Sequence, residues 1–222
     1  MQTLKEEIKR LAPEARRQHI LDIAHRVFIR DGYAGASMSR IAAEVGGSKT
    51  TLYNHFDSKK ELFVAVTERE TARLLDGVFV VEALGGDFSS RITELARRML
   101  SAMLTDDMVE AYRMIVAEAG RFPEVGHTAY AMAIERGVAR LSAFFAGAMA
   151  EGSLRRADTA LAAQQFIDLA SGTLLKKRVW NVVTSVSTET ISGEAQRIAT
   201  TFLAAFGSDA VSAAARRGEA RP

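Results

Sequence analysis

Residues 48–59 read Ser-Lys-Thr-Thr-Leu-Tyr-Asn-His-Phe-Asp-Ser-Lys, and their types and spacing suit one kind of chemistry. Leu52 and Phe56 are four residues apart, so on a helix they share a face and would pin it to a core. Lys49, Thr50, Thr51, Tyr53, Asn54 and His55 populate the rest of the surface, with hydrogen-bonding groups that match base edges and phosphates. A short helix presenting such groups from its N-terminal end is what entry into a DNA major groove requires. The same spacing also fits a solvated helix in a bundle, because tight turns between helices are common.

Other chemistries lack their residues. The run Gly46-Gly47-Ser48-Lys49-Thr50 has neither the G-x-x-x-x-G-K-[ST] spacing of a phosphate loop nor a strand before it. His19, His25, His55 and His127 form no i, i+4 pair and join no carboxylate cluster, so no metal site is expected. With no cysteine there is no disulfide, thiolate metal site, Fe–S cluster or cysteine nucleophile, which suits a reducing compartment. G-x-S-x-G is absent as well. Neither an enzyme nor a cofactor is expected. Arg155-Arg156 and Lys176-Lys177-Arg178 read as solvated helix ends.

The elements that must position residues 48–59 are helical. Ala15 to Arg30 carries a stripe of Ile20, Ala24, Val27 and Phe28, and Gly32 stands where a stop belongs. Ser37 is placed to cap a second helix with Met38, Ile41, Ala42 and Val45 on one face. Gly46-Gly47 ends it, and Ser48 caps the third helix, through Leu52 and Phe56. Two short helices joined by a glycine-containing turn make a helix-turn-helix, here at about 38–57. Beyond it the pattern predicts helices near 58–84, 89–105, 108–119, 124–150, 158–183 and 188–206, and a frayed tail at 208–222.

With 222 residues, 48% hydrophobic and 25% charged, the chain sits in the globular range. Three prolines, Pro13, Pro123 and Pro222, leave long helices free to form. No apolar run reaches the roughly 18 residues of a membrane span. Met1 to Arg17 alternates basic residues with glutamate and lacks the apolar core of a secretory leader, so a cytoplasmic, all-α protein is expected. Residues 1–60 hold 11 Lys/Arg against 7 Asp/Glu, and the rest 18 against 20. A basic head on a slightly acidic body fits a polyanion partner for the head.

The stretch Arg17 to Val66 resembles the N-terminal domain of TetR-family transcriptional regulators. The resemblance rests on Ala24, Phe28, Gly32, Ser37, Ile41-Ala42, Thr51-Leu52-Tyr53, His55-Phe56 and Ser58-Lys59 with Leu62. Gly47 departs from the family's usual valine in the turn, and Ala36 from a frequent threonine. Tyr112 to Trp180, with Ala-Glu-Ala-Gly-Arg-Phe-Pro-Glu at 117–124, is similar to the C-terminal domain of the AefR-like branch. The resemblance implies a DNA-binding domain at 13–60 and a helical ligand-binding and dimerisation domain at 61–207. It also implies binding of a double-stranded DNA operator as a homodimer. Tyr53, His55 and Lys59 match the family's phosphate contacts, and Lys49, Thr50 and Asn54 fall where base contacts vary. With Ser37, Ser39, Arg40, Ser48 and Thr51 they complete the expected DNA-facing set.

In the body, Met99, Met103, Met114, Phe144, Phe145, Met149, Phe166 and Trp180 are expected to line an apolar pocket for a small-molecule effector. Arg113, Glu118 and Gln164 are candidate polar anchors. A dimer face is expected from Leu161, Gln165 and Leu169 on one helix and Ile191, Ala195, Ile198, Phe202 and Ala205 on the next, although such stripes also fill a protomer core. The reading is a ligand-responsive DNA-binding regulator, with no membrane partner. Two rivals are a helical small-molecule-binding protein or enzyme with a merely structural head, and an architectural DNA binder without an effector.

Overall fold

The computed structural model describes residues 12–46, 48–79, 86–209 and 211. The described residues form α1 (Pro13–Gly35), α2 (Met38–Val45), α3 (Lys49–Tyr53), α4 (Lys59–Phe79), α5 (Phe88–Met103) and α6 (Asp106–Glu118). There follow α7 (Pro123–Ala129), a π-helical turn (Tyr130–Glu135), α8 (Arg136–Ala150), α9 (Thr159–Ala170), α10 (Thr173–Val179) and α11 (Thr188–Phe206). Outside the helices, Leu154 and Gly207 make an isolated antiparallel bridge.

The chain divides into two compact units. One comprises Met1–Ala72 with Glu110–Met132, the other Arg73–Val109 with Ala133–Pro222. This differs from a simple cut after residue 60, because the second half of α6 and all of α7 pack with the head. Met114 and Val125 are buried in its core beside Phe28, Tyr33 and Phe63.

The second unit is built on α5 packed against α11 and α8 packed against α9. Its centre is a cluster of rings. Phe202 stacks on Phe145 at 4.8 Å and meets Phe166 edge-on at 5.1 Å and Phe206 at 5.0 Å. The apolar stripe of α11 serves this core: Ala195, Ile198, Ala199, Phe202 and Leu203 are all buried in the protomer. The expected dimer face is corrected accordingly, since Ala195, Ile198 and Phe202 point into their own unit. Leu161, Gln165 and Ala205 are exposed, and Leu169 and Ile191 are partly buried.

Other boundaries also differ from expectation. The helix expected over 158–183 is two, α9 and α10, broken where Ser171 turns its hydroxyl onto the Ile167 carbonyl (2.7 Å) and Gly172 leaves helical geometry (ψ −129°). The chain leaves α10 at Val179, with Asn181 in the left-handed region at φ 57°. The helix expected over 124–150 contains the π turn. The end of α4 beyond Phe79, the turn residue Gly47 and the tail beyond residue 211 lie outside the described residues.

Asp87 accepts from the Ser90 backbone N–H and hydroxyl, both at 2.9 Å, and closes the N-terminus of α5. Those hydrogen bonds, the backbone one foremost, hold its carboxyl below the ordinary aspartate value of 3.8. A depressed folded-state pKa means that the cap stabilises above the ordinary value and is lost as the pH falls through the folded one. Asp87→Ala should therefore cost about 1 kcal/mol near neutral pH. That deficit should shrink at about pH 3 in urea unfolding. An equal deficit at both pH values would assign the effect to something other than the carboxylate.

Candidate nucleic-acid interface

The helix-turn-helix is assembled from local signals. Ser37 Oγ accepts from Arg40 N at 3.2 Å and caps α2, while Met38, Ile41, Ala42 and Val45 face inward. Gly46, at φ 74°, ends α2 in the left-handed conformation that a residue with a Cβ adopts at a cost. Ser48 Oγ then accepts from Thr51 N at 3.1 Å and lies 3.0 Å from Thr51 Oγ1. Only five residues of α3 are helical, fewer than the pattern through Phe56 suggested. Leu52 and Phe56 are nonetheless buried, at 1% and 2% exposure, as their spacing requires.

The opposite surface stays open. Lys49, Thr50, Tyr53 and Asn54 are exposed, with Thr51 and His55 partly covered. Ser39 is exposed on α2, and so is Arg40, whose guanidinium Nε lies 3.1 Å from Asp31. Arg30 bridges Asp31 (2.8 Å) and Glu44 (2.6 Å), and its hydrogen bonds hold both carboxyls below their usual range. Arg40 thus belongs to a surface charge network that offsets part of its positive field. Arg17 stacks its guanidinium over the Phe56 ring at 5.3 Å. It adds a cation to the head that the motif alone did not single out.

Lys59 is placed differently from a free surface lysine. Its Nζ donates to the carbonyls of Tyr33 (2.8 Å) and Ala36 (3.1 Å) and lies 4.4 Å from the centre of the Tyr33 ring. Burial lowers its pKa from the ordinary lysine value, while Glu118 and Glu124 act in the opposite sense. The ammonium therefore ties the end of α1 to the start of α4, across the entry to α2. With two of three N–H donors used, one remains for an external acceptor.

Glu118 completes this anchor. Its Oε1 accepts from Ala34 N at 3.1 Å, next to Gly32. Gly32 breaks α1 at φ 72°, and a Cβ there would come within 2.7 Å of Glu118 Oε1. Glycine is required here twice over, by backbone conformation and by this contact. Phe122 packs on Tyr33 at 5.2 Å, and the Tyr33 hydroxyl reaches Glu124 at 3.5 Å. Glu118 was a candidate effector anchor, and the structure gives it to the head. Sequence reading missed this set, although the helix start at Phe122-Pro123-Glu124 was visible.

The expected pocket residues do not converge on one cavity. Phe145 and Phe166 are locked in the ring cluster, and Met99, Met103 and Met149 pack on the same core. Met114 belongs to the first unit. Phe144 lines a separate groove. Trp180 is 72% exposed. Gln164 is bonded to Asp168 on the surface of α9 at 3.1 Å. Arg113 borders a cavity of about 300 Å³ beside Gly32, Met114 and Glu118, within the first unit.

An all-helical chain with a capped helix-turn-helix and a polar α3 surface defines a DNA-binding regulator. Residues 90–208 match the profile of the AefR-like transcriptional repressor C-terminal domain, and residues 20–66 that of the bacterial regulatory proteins of the tetR family. The chain belongs to the TetR family. Among curated relatives it is 45% identical over 69 residues to the transcriptional activator FasR of Mycolicibacterium smegmatis, covering 31% of this chain and 32% of that protein. It is 35% identical over 100 residues to the DNA-binding transcriptional repressor TetR of Mycobacteroides abscessus, covering 44% and 53%. The chain thus spans between about a third and half the length of these relatives.

Solved structures match over more of the chain. A candidate TetR-family regulator from Mesorhizobium loti aligns with TM-score 0.79 and 27% identity, over 89% of this chain and all of that one. The flavonoid-responsive regulator FrrA aligns with TM-score 0.73 and 30% identity, over 86% and 96%. The family and these named relatives are DNA-binding transcriptional regulators, not enzymes. Among the described residues no helix is long and apolar enough to cross a membrane.

Proposed function

We propose that the protein is a ligand-responsive repressor that binds a near-palindromic operator as a homodimer and releases it when a small molecule binds the body. The observation that carries the DNA reading is the two-sided character of α3. Leu52 and Phe56 anchor one side, and Lys49, Thr50, Tyr53 and Asn54 are exposed on the other. Repression is supported by the AefR-like repressor match, and effector control by the similarity to a flavonoid-responsive regulator. Helices α4 and α6 each contribute residues to both compact units, and a ligand that displaces either is the proposed route from body to head. Release needs different ligand affinities for two dimer conformations, with a typical coupling of ~1–3 kcal/mol.

A two-fold dimer presents two copies of α3, so half-sites should lie roughly 34–36 Å apart, or a multiple of that. The test is to map the DNA protected in front of the protein's own gene and its neighbours, then titrate variants on the site found. Thr50→Ala and Lys49→Ala should change the ranking of operator variants, by about 1–3 kcal/mol at the altered base pair. Affinity should fall steeply with salt. Protection of no discrete site, or an unchanged ranking in both variants, would leave α3 outside the groove.

A further inference from the structure

The second unit carries a groove of about 540 Å³ between α5 and α8. Arg140, Ala143, Phe144 and Gly147 recur at helical spacing on one face of α8, Glu151 follows just past its end, and Arg91 of α5 closes the opposite side. The two guanidinium groups each lie on a ring, Arg91 on Phe144 at 5.3 Å and Arg140 on Phe79 at 5.0 Å. Among the described residues no carboxylate or carbonyl accepts from the Arg91 side chain, and its buried Nε has no hydrogen-bond partner. Arg69, Arg98 and Arg178, whose side chains are also covered, each hold a carboxylate, whereas Arg17, partly buried like Arg91, lies on the Phe56 ring. A cation kept partly desolvated without an acid is short of an anion.

The groove floor sets the shape of that anion. Ala143 and Gly147 leave an open apolar strip beside Phe144, where a Cβ added to Gly147 would meet nothing within 4 Å. A planar apolar body fits such a strip, and a guanidinium recognises a carboxylate through a planar pair of hydrogen bonds. Glu151, about 16 Å along the helix from Arg140, disfavours a second negative charge at the far end. We infer that this groove binds an aryl monocarboxylate, with the carboxylate on Arg91 and the ring along Ala143 and Gly147. The inference deepens the effector reading above by naming the ligand class and its seat, and its test is independent of DNA.

The experiment is calorimetric titration of the full chain with 2-naphthoate, alongside the neutral 2-naphthamide and acetate. Saturable binding of 2-naphthoate is expected, with 2-naphthamide and acetate each at least about tenfold weaker. Arg91→Gln should weaken 2-naphthoate by a similar factor and bring it level with the amide. Gly147→Leu should abolish binding while leaving thermal unfolding unchanged or raised, because the added side chain fills the groove and leucine favours a helix over glycine. Absence of 2-naphthoate binding, equal affinity for the amide, or unchanged affinity in either variant would overturn the site. Operator affinity measured with and without saturating 2-naphthoate separates the two readings. Binding at the groove with unchanged operator affinity upholds this site and removes effector control through it.

Discussion

Phe202→Asp is expected to unfold the second unit and not to yield a folded monomer. Phe202 is 1% exposed and sits among Phe145, Phe166 and Phe206. Truncating a buried phenylalanine costs about 3–5 kcal/mol. A buried carboxylate in its place adds several kcal/mol of desolvation. That sum approaches the roughly 5–15 kcal/mol that holds a typical domain together. Circular dichroism should show loss of cooperative melting and insoluble or expanded protein. A soluble variant with wild-type melting would place Phe202 at a surface and return α11 to the interface.

The proposed dimer is tested elsewhere on the same helices. Leu161 is 52% exposed, and Gln165, Leu169, Thr201 and Ala205 border a shallow groove of about 360 Å³ between α9 and α11. Leu161→Asp and Ala205→Glu should keep the fold and give monomers in sedimentation, because their side chains leave the protomer core intact. Unchanged dimers in both would move the interface off α9 and α11.

Lys59→Ala is expected to lower affinity for every duplex, specific and scrambled alike, by about tenfold or more, and to lower the melting temperature of the first unit. Two effects combine. The substitution removes a positive charge from the DNA-binding head, and it frees the Tyr33 and Ala36 carbonyls that the ammonium holds at 2.8 and 3.1 Å. Glu118→Ala removes the partner of Ala34 N and should destabilise the same corner by about 1 kcal/mol, without taking a cation from the DNA side. Binding titrations at about 0.15 M salt, with melting of each variant, separate charge from anchoring. Unchanged affinity of Lys59→Ala for both duplexes would remove this lysine from the interface altogether.

The head was legible because its determinants are local. Ser37 and Ser48 each cap a helix by accepting from the N–H three residues ahead, Gly46 supplies the left-handed stop, and Leu52 and Phe56 meet the core through a four-residue repeat. Each is a short-range constraint that spacing alone expresses. The span of α11, Thr188–Phe206, was legible for the same reason, with Ser187 capping a continuous apolar stripe.

What a stripe faces is not local. The repeat of Ala195, Ile198 and Phe202 is identical whether the helix packs on its own protomer or on a second copy, and only the rings of Phe145 and Phe166 decide it. The same holds for Met114, which reads as a body residue by position and packs in the head through the course of α6. Glu118 reaches Ala34 across 84 residues of chain. That the buried Arg91 Nε has no hydrogen-bond partner among the described residues shows only in the folded chain. Sequence by itself determined most helix spans, the caps at Ser37 and Ser48 and the exposed polar surface of α3, because those follow from contacts within a few residues. Tertiary structure alone decided which faces are core, which cations are tethered and where a cavity lies, because these depend on contacts between residues far apart in the chain.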